Sequence, residues 1–126
     1  MYCEVRITRR YEAEPDEVWA ALTEPASLGR WLGRPGRIEL SPGGAFELEV
    51  GPAGLDARVR EVEPGRVLEL GWRYGDEDPS VLRFELTAEG EGTVLVLDHR
   101  QIEEPVGMAY MSRWTASIGR LGALLR

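Results

Sequence analysis

The sequence predicts an α+β protein in which a curved antiparallel β-sheet, with two short helices after its first strand, is covered by a long C-terminal helix. Residues 36–101 alternate apolar and polar side chains with period two and are cut by turn chemistry, which predicts an antiparallel meander. Residues 3–11 alternate in the same way ahead of it. Beyond Pro105 the apolar repeat changes to three and four, the spacing of one helix face.

Along residues 3–11, Cys3, Val5, Ile7 and Tyr11 fall on one side and Glu4, Arg6, Thr8 and Arg10 on the other, as in a half-buried strand. Pro15 suits the first helical position, Asp16 and Glu17 favour the positive end of the helix dipole, and Val18, Ala21 and Leu22 supply an apolar face. These features predict a helix over 15–23. Pro25 starts a second, ending near Gly33, in which Leu28, Trp31 and Leu32 share a face.

Turns are expected at SPGG (41–44), GPAG (51–54), EPG (63–65), YGDEDP (74–79) and EGEG (89–92). Between them run Ile38/Leu40, Phe46/Leu48/Val50, Leu55/Ala57/Val59, Leu68/Leu70/Trp72/Tyr74, Leu82/Phe84/Leu86 and Leu95/Leu97/His99, giving six strands with one dry face. Val67, Val81, Val94 and Val96 lie on the other face, where they express β-propensity or form a strip for a partner. The last helix is expected to bury Met111, Trp114, Ile118, Leu121 and Leu125. At about 1.5 Å per residue, some 20 residues reach across the dry face of the sheet.

The 126 residues, 43% of them apolar, are enough for one domain, with no linker or repeat visible. A formal charge of −7 argues against a nucleic-acid surface, which needs clustered positive charge, and disfavours stable association with anionic membranes. The start MYCEVRITRR has no apolar leader core and no run is long enough to span a bilayer, so a cytoplasmic location is expected. Cys3 is the sole cysteine, which precludes an internal disulfide or a cysteine zinc site, and a buried inert thiol is expected there.

The stretch VRITRRYEAEPDEVWAALTEPASLGRWLG resembles the family of homologues of the activator of heat-shock protein 90 ATPase, within the START-like (SRPBCC) superfamily. So do the Gly43-Gly44-Ala45-Phe46 turn, VREVEPGRVLELGW at 59–72, GTVLVLDH at 92–99, and Trp114 followed by Leu121 and Leu124. The chain departs from the family's pattern at Asp98-His99-Arg100, where a Thr-His-Ser-like triplet is common. The resemblance implies the helix-grip fold. It does not extend to the chaperone-binding domain of the eukaryotic activator, and so does not imply chaperone regulation. It implies instead the binding of an apolar or amphipathic small molecule, while some START-like relatives are cyclases or dehydratases on polyketide or sterol-like substrates.

In such a fold the centre of the dry face leaves a cavity under the helix. The expected lining is Trp31, Phe46, Leu48, Val59, Leu70, Trp72, Phe84, Leu97, His99, Met111, Trp114 and Ile118, with aromatic plates and a flexible thioether as adaptable walls. His99, the one histidine, shares a face with Leu95 and Leu97. It would serve as general acid or base, or donate to a ligand carbonyl, unless it is hydrogen-bonded to backbone at a sheet edge. Asp98, one residue away on a strand, faces the other side and cannot orient the ring. Arg9 alternates with Val5, Ile7 and Tyr11, so it forms a polar gate with His99 for an anionic head group or else reaches solvent at the strand end.

G-x-S-x-G, HExxH and phosphate-loop motifs are missing, and one histidine cannot build a multi-histidine metal site, so neither cofactor nor metal is expected. Glu103-Glu104 and Asp76-Glu77-Asp78 lack EF-hand spacing and read as solvated loops. The function expected is binding or sequestration of an apolar or amphipathic molecule beneath the final helix. The alternatives are cyclase- or hydrolyase-like chemistry with His99 as proton shuttle, and an interaction module that pairs with a protein partner or a second copy as a homodimer.

Overall fold

Strand β1 (Tyr2–Tyr11) turns Val5 and Tyr11 inward, as its alternation requires. The computed structural model describes residues 1–126. Helices α1 (Pro15–Thr23) and α2 (Pro25–Trp31) each have proline at the start, where the missing N–H costs no hydrogen bond. Strands β2 (Arg34–Ile38), β3 (Phe46–Glu49), β4 (Leu55–Glu63), β5 (Val67–Tyr74), β6 (Ser80–Glu89) and β7 (Gly92–Glu103) follow, and α3 (Glu104–Leu124) closes the chain.

The main sheet is five-stranded, antiparallel, in the order β1-β7-β6-β5-β4. Gly43, Gly65, Gly75 and Gly90 have positive φ in its connections and in the β2–β3 turn, which explains why the expected turns are rich in glycine. The six-strand meander requires one correction. β2 and β3 form a separate two-stranded sheet, joined to β4 only by an Ala45–Arg58 bridge and by backbone bonds between Gly43, Gly44 and Val59. Pro35 within β2 cannot donate to a ladder, which suits a strand paired on one side.

The helices and the inner face of the sheet enclose one hydrophobic cluster. Helix α3 packs chiefly on β1, β7 and α2. Two glycines seat it there: a Cβ on Gly107 would lie 2.6 Å from Cys3 Sγ, and one on Gly122 would lie 3.3 Å from Tyr11 Cε1. Tyr11 also donates its hydroxyl proton to Ile118 O at 3.0 Å. The buried face of α3 is therefore Gly107, Tyr110, Trp114, Ser117, Ile118 and Leu121. Met111, expected in this stripe, is 43% exposed; the small residues that allow close approach, not the most apolar ones, set the helix's rotation.

On the outer face, Val94 and Val96 are half-buried, whereas Val67 and Val81 are buried by the chain itself. Their neighbour Glu69, which alternation would place in solvent, is only 7% exposed. Its carboxylate accepts from Arg83 Nη1 at 3.2 Å and Arg100 Nη2 at 3.1 Å, with Arg60 Nε at 3.3 Å. Long arginine stems lying along the sheet cover apolar neighbours while their charged ends meet one carboxylate.

Candidate functional site

Because α3 is drawn onto β1, its other flank stands away from the end of β5. A cleft of about 180 Å³ lies there. This is slightly more than the roughly 150 Å³ that accepts one benzene ring in a protein interior. Trp72 and Tyr74 of β5 meet Tyr110 and Trp114 of α3 around it. Leu32, just after α2, and Val50, just after β3, add aliphatic surface. Arg113, Ala116, Ser117 and Arg120 complete it along the helix.

The aromatic side is rigid. Trp72 and Trp114 lie 5.7 Å apart between ring centroids, and Phe84 meets Trp114 edge-on at 6.3 Å and Trp31 at 6.2 Å. Trp31 is held from behind by its N–H bond to Ala21 O at 2.7 Å. Arg120 donates to Trp31 O at 3.1 Å and to Ser117 Oγ at 3.0 Å, so its guanidinium is anchored. Arg113 lies over Tyr74 and Tyr110, 5.3 and 5.8 Å from their centroids. Tyr110 gives its hydroxyl proton to Glu77, and burial followed by that bond holds the phenol well above its ordinary range.

Of the residues expected to line a cavity, only Trp72 and Trp114 do so. Trp31, Phe46, Leu48, Val59, Leu70, Phe84, Leu97 and Ile118 are buried members of the hydrophobic cluster and lie outside the cleft lining. Met111 is exposed outside the cleft. Arg9 is also exposed, and its strand partner is Leu95, four residues along β7 from His99. The proposed gate is thus absent: at about 3.3 Å per residue the two positions are some 13 Å apart.

His99 is fully buried behind Trp72 and Trp114. Burial pushes its pKa down to about 3. Both ring nitrogens are engaged, by Ser80 Oγ at 2.7 Å and by Trp114 Nε1 at 2.9 Å. The imidazole thus has neither nitrogen free and does not line the cleft. Sequence reasoning missed Leu32, Val50, Tyr74, Tyr110, Arg113, Ala116, Ser117 and Arg120. The one available clue was the i, i+3, i+7 recurrence of Tyr110, Arg113 and Ser117 beside the apolar stripe of the last helix.

A curved sheet with a long helix across it and an aromatic cleft between the two defines a helix-grip protein of the START-like class. More narrowly, the chain belongs to the family of activator of Hsp90 ATPase homolog 1-like proteins, which matches residues 12–126.

Among solved structures, CalU16 from Micromonospora echinospora is 34% identical with a TM-score of 0.85, over 97% of this chain and 75% of that one. MLL2253 from Mesorhizobium loti is 25% identical with a TM-score of 0.89, over 98% and 96%. DynU16, a protein in the dynemicin biosynthetic locus, is 26% identical with a TM-score of 0.85, over 97% of this chain and 46% of its own. A search of curated proteins finds no match. No helix is long and apolar enough to cross a membrane.

Proposed function

We propose that the chain binds a small apolar or amphipathic molecule without covalent chemistry, in the cleft between β5 and α3. The observation that carries this is the placement of Trp72, Trp114, Leu32 and Val50 around open space. Apolar area removed from water contributes roughly 25 cal/mol per Å². A ligand part of about one ring therefore binds weakly unless further groups extend from the mouth. The volume favours a flat or short-chain body over a sterol, since drug-sized pockets occupy about 300–1,000 Å³. The membership of CalU16 and DynU16 in the same fold supports a small-molecule role, DynU16 being a protein of a biosynthetic locus.

The test is a titration with indane and 3-phenylpropanol followed by amide and methyl NMR. Shifts confined to Leu32, Val50, Ala116 and Ser117, and lost in Ala116→Trp with the fold intact, are the expected result. Ala116 is exposed and lines the cleft, so a large ring there plugs it from outside. Shifts that scatter over the surface, or survive in Ala116→Trp, overturn the proposal.

A further inference from the structure

The chain has 22 acidic and 15 basic residues, yet the cleft lining holds Arg113 and Arg120 and no carboxylate. Glu77, which is not part of the lining, accepts the Tyr110 proton. Arg120 is committed to Trp31 O and Ser117. Arg113 makes only the two face-on contacts with Tyr74 and Tyr110, which hold a guanidinium without neutralising it.

Trp72 is only 4% exposed and lines the cleft, but its indole N–H has no acceptor in hydrogen-bonding geometry. Its neighbour is the Tyr110 hydroxyl oxygen, and the indole nitrogen itself is closed off from the cleft. An arginine held over two aromatic rings at an apolar cleft with no carboxylate in its lining suits an anionic oxygen ligand.

Resting on the cleft reading above, we infer that the ligand is a small aryl or arylalkyl carboxylate, its ring in the cleft against Trp72, Trp114, Leu32 and Val50 and its carboxylate on Arg113. The anchored Arg120 contributes no more than a distant field. It lies seven residues further along α3, about 10 Å at 1.5 Å per residue.

The experiment compares 3-phenylpropionate with the equally sized 3-phenylpropanamide, on the wild type, Arg113→Gln and Arg120→Gln, by tryptophan emission and NMR at low salt. The expected result is about tenfold tighter binding of the carboxylate to the wild type, in keeping with a charge-assisted contact at a partly exposed site. Arg113→Gln abolishes that preference, bringing carboxylate and amide to equal affinity, and Arg120→Gln preserves it. Equal affinities for the two probes on the wild type, or a preference that persists in Arg113→Gln, overturn the carboxylate assignment while leaving the cleft in place. Binding of neither probe, together with no response to neutral indane, removes the cleft reading itself.

Discussion

Trp114 donates its indole N–H to His99 Nδ1 across 2.9 Å, and this one bond fixes the histidine's tautomer. An indole offers a donor and no acceptor, so Nδ1 must carry the lone pair and Nε2 the proton. Nε2–H then donates to Ser80 Oγ at 2.7 Å, and Ser80 passes its own proton to Trp72 O at 3.0 Å. Nitrogen-15 spectra should show a single neutral tautomer protonated at Nε2, unchanged from neutral pH to about pH 5. A mixture of tautomers, or protonation near the ordinary pKa of about 6.5, would contradict the relay.

The same burial makes stability depend on pH in a defined direction. The unfolded imidazole takes up a proton near pH 6.5, whereas the folded one resists until about 3. Between those values the unfolded state holds more protons, so acidification favours unfolding by up to about 1.4 kcal/mol per pH unit. From pH 6.5 to 4.5 the loss from this group is about 2–3 kcal/mol. Denaturant titrations should show it in the wild type and a nearly flat profile over the same window in His99→Phe, whatever that variant's lower absolute stability.

Glu69 acts in a lower window. Burial alone would raise its pKa, but hydrogen bonds from Arg100 and Arg83 outweigh that and hold the carboxyl below its usual range. Its contribution is therefore present above the unfolded carboxylate pKa, about 4.3, and is lost as pH falls through the lowered folded value. Glu69→Gln should cost about 1.5–3 kcal/mol at neutral pH, since it leaves three guanidinium groups converging on an uncharged amide. The deficit should shrink below pH 4. A neutral-pH cost under about 0.5 kcal/mol, the range of ordinary surface changes, would show that the arginines find other partners.

The architecture was legible because local chemistry dictated it. Pro15, Pro25 and Pro105 mark helix starts that backbone geometry requires, and glycines at 43, 65, 75 and 90 supply the positive φ of the turns. The cleft was not legible for an equally physical reason. Period two shows which face of a strand is dry but not whether another layer touches it, and that depends on where α3 lies across the strands. The decisive residues, Gly107 and Gly122, act by lacking a side chain, so no hydrophobic pattern records them. His99 was read as facing the interior and does, but alternation could not reveal that Trp114 and Ser80 occupy both of its nitrogens.

The seat of α3 on β1 can be tested by adding one carbon. In an isolated helix Gly→Ala stabilises by about 1 kcal/mol. At position 107, however, the new methyl would lie 2.6 Å from Cys3 Sγ, well inside ordinary contact distance, so the strand and helix must separate or the thiol must rotate into packed neighbours. Gly107→Ala should therefore lower stability by about 1 kcal/mol, the small end of overpacking costs. In a Cys3→Ala background the obstruction is gone, and the same substitution should become neutral or stabilising. The expected coupling in the double-mutant cycle is about 1–2 kcal/mol, large for residues 104 positions apart and typical of direct contact. A helix pushed off β1 also moves Trp114 relative to Trp72, so Gly107→Ala alone should shift tryptophan emission, and Cys3→Ala should reverse the shift. Additive stabilities with unaltered emission would mean that α3 is not seated by this contact and that the space beside β5 has another cause.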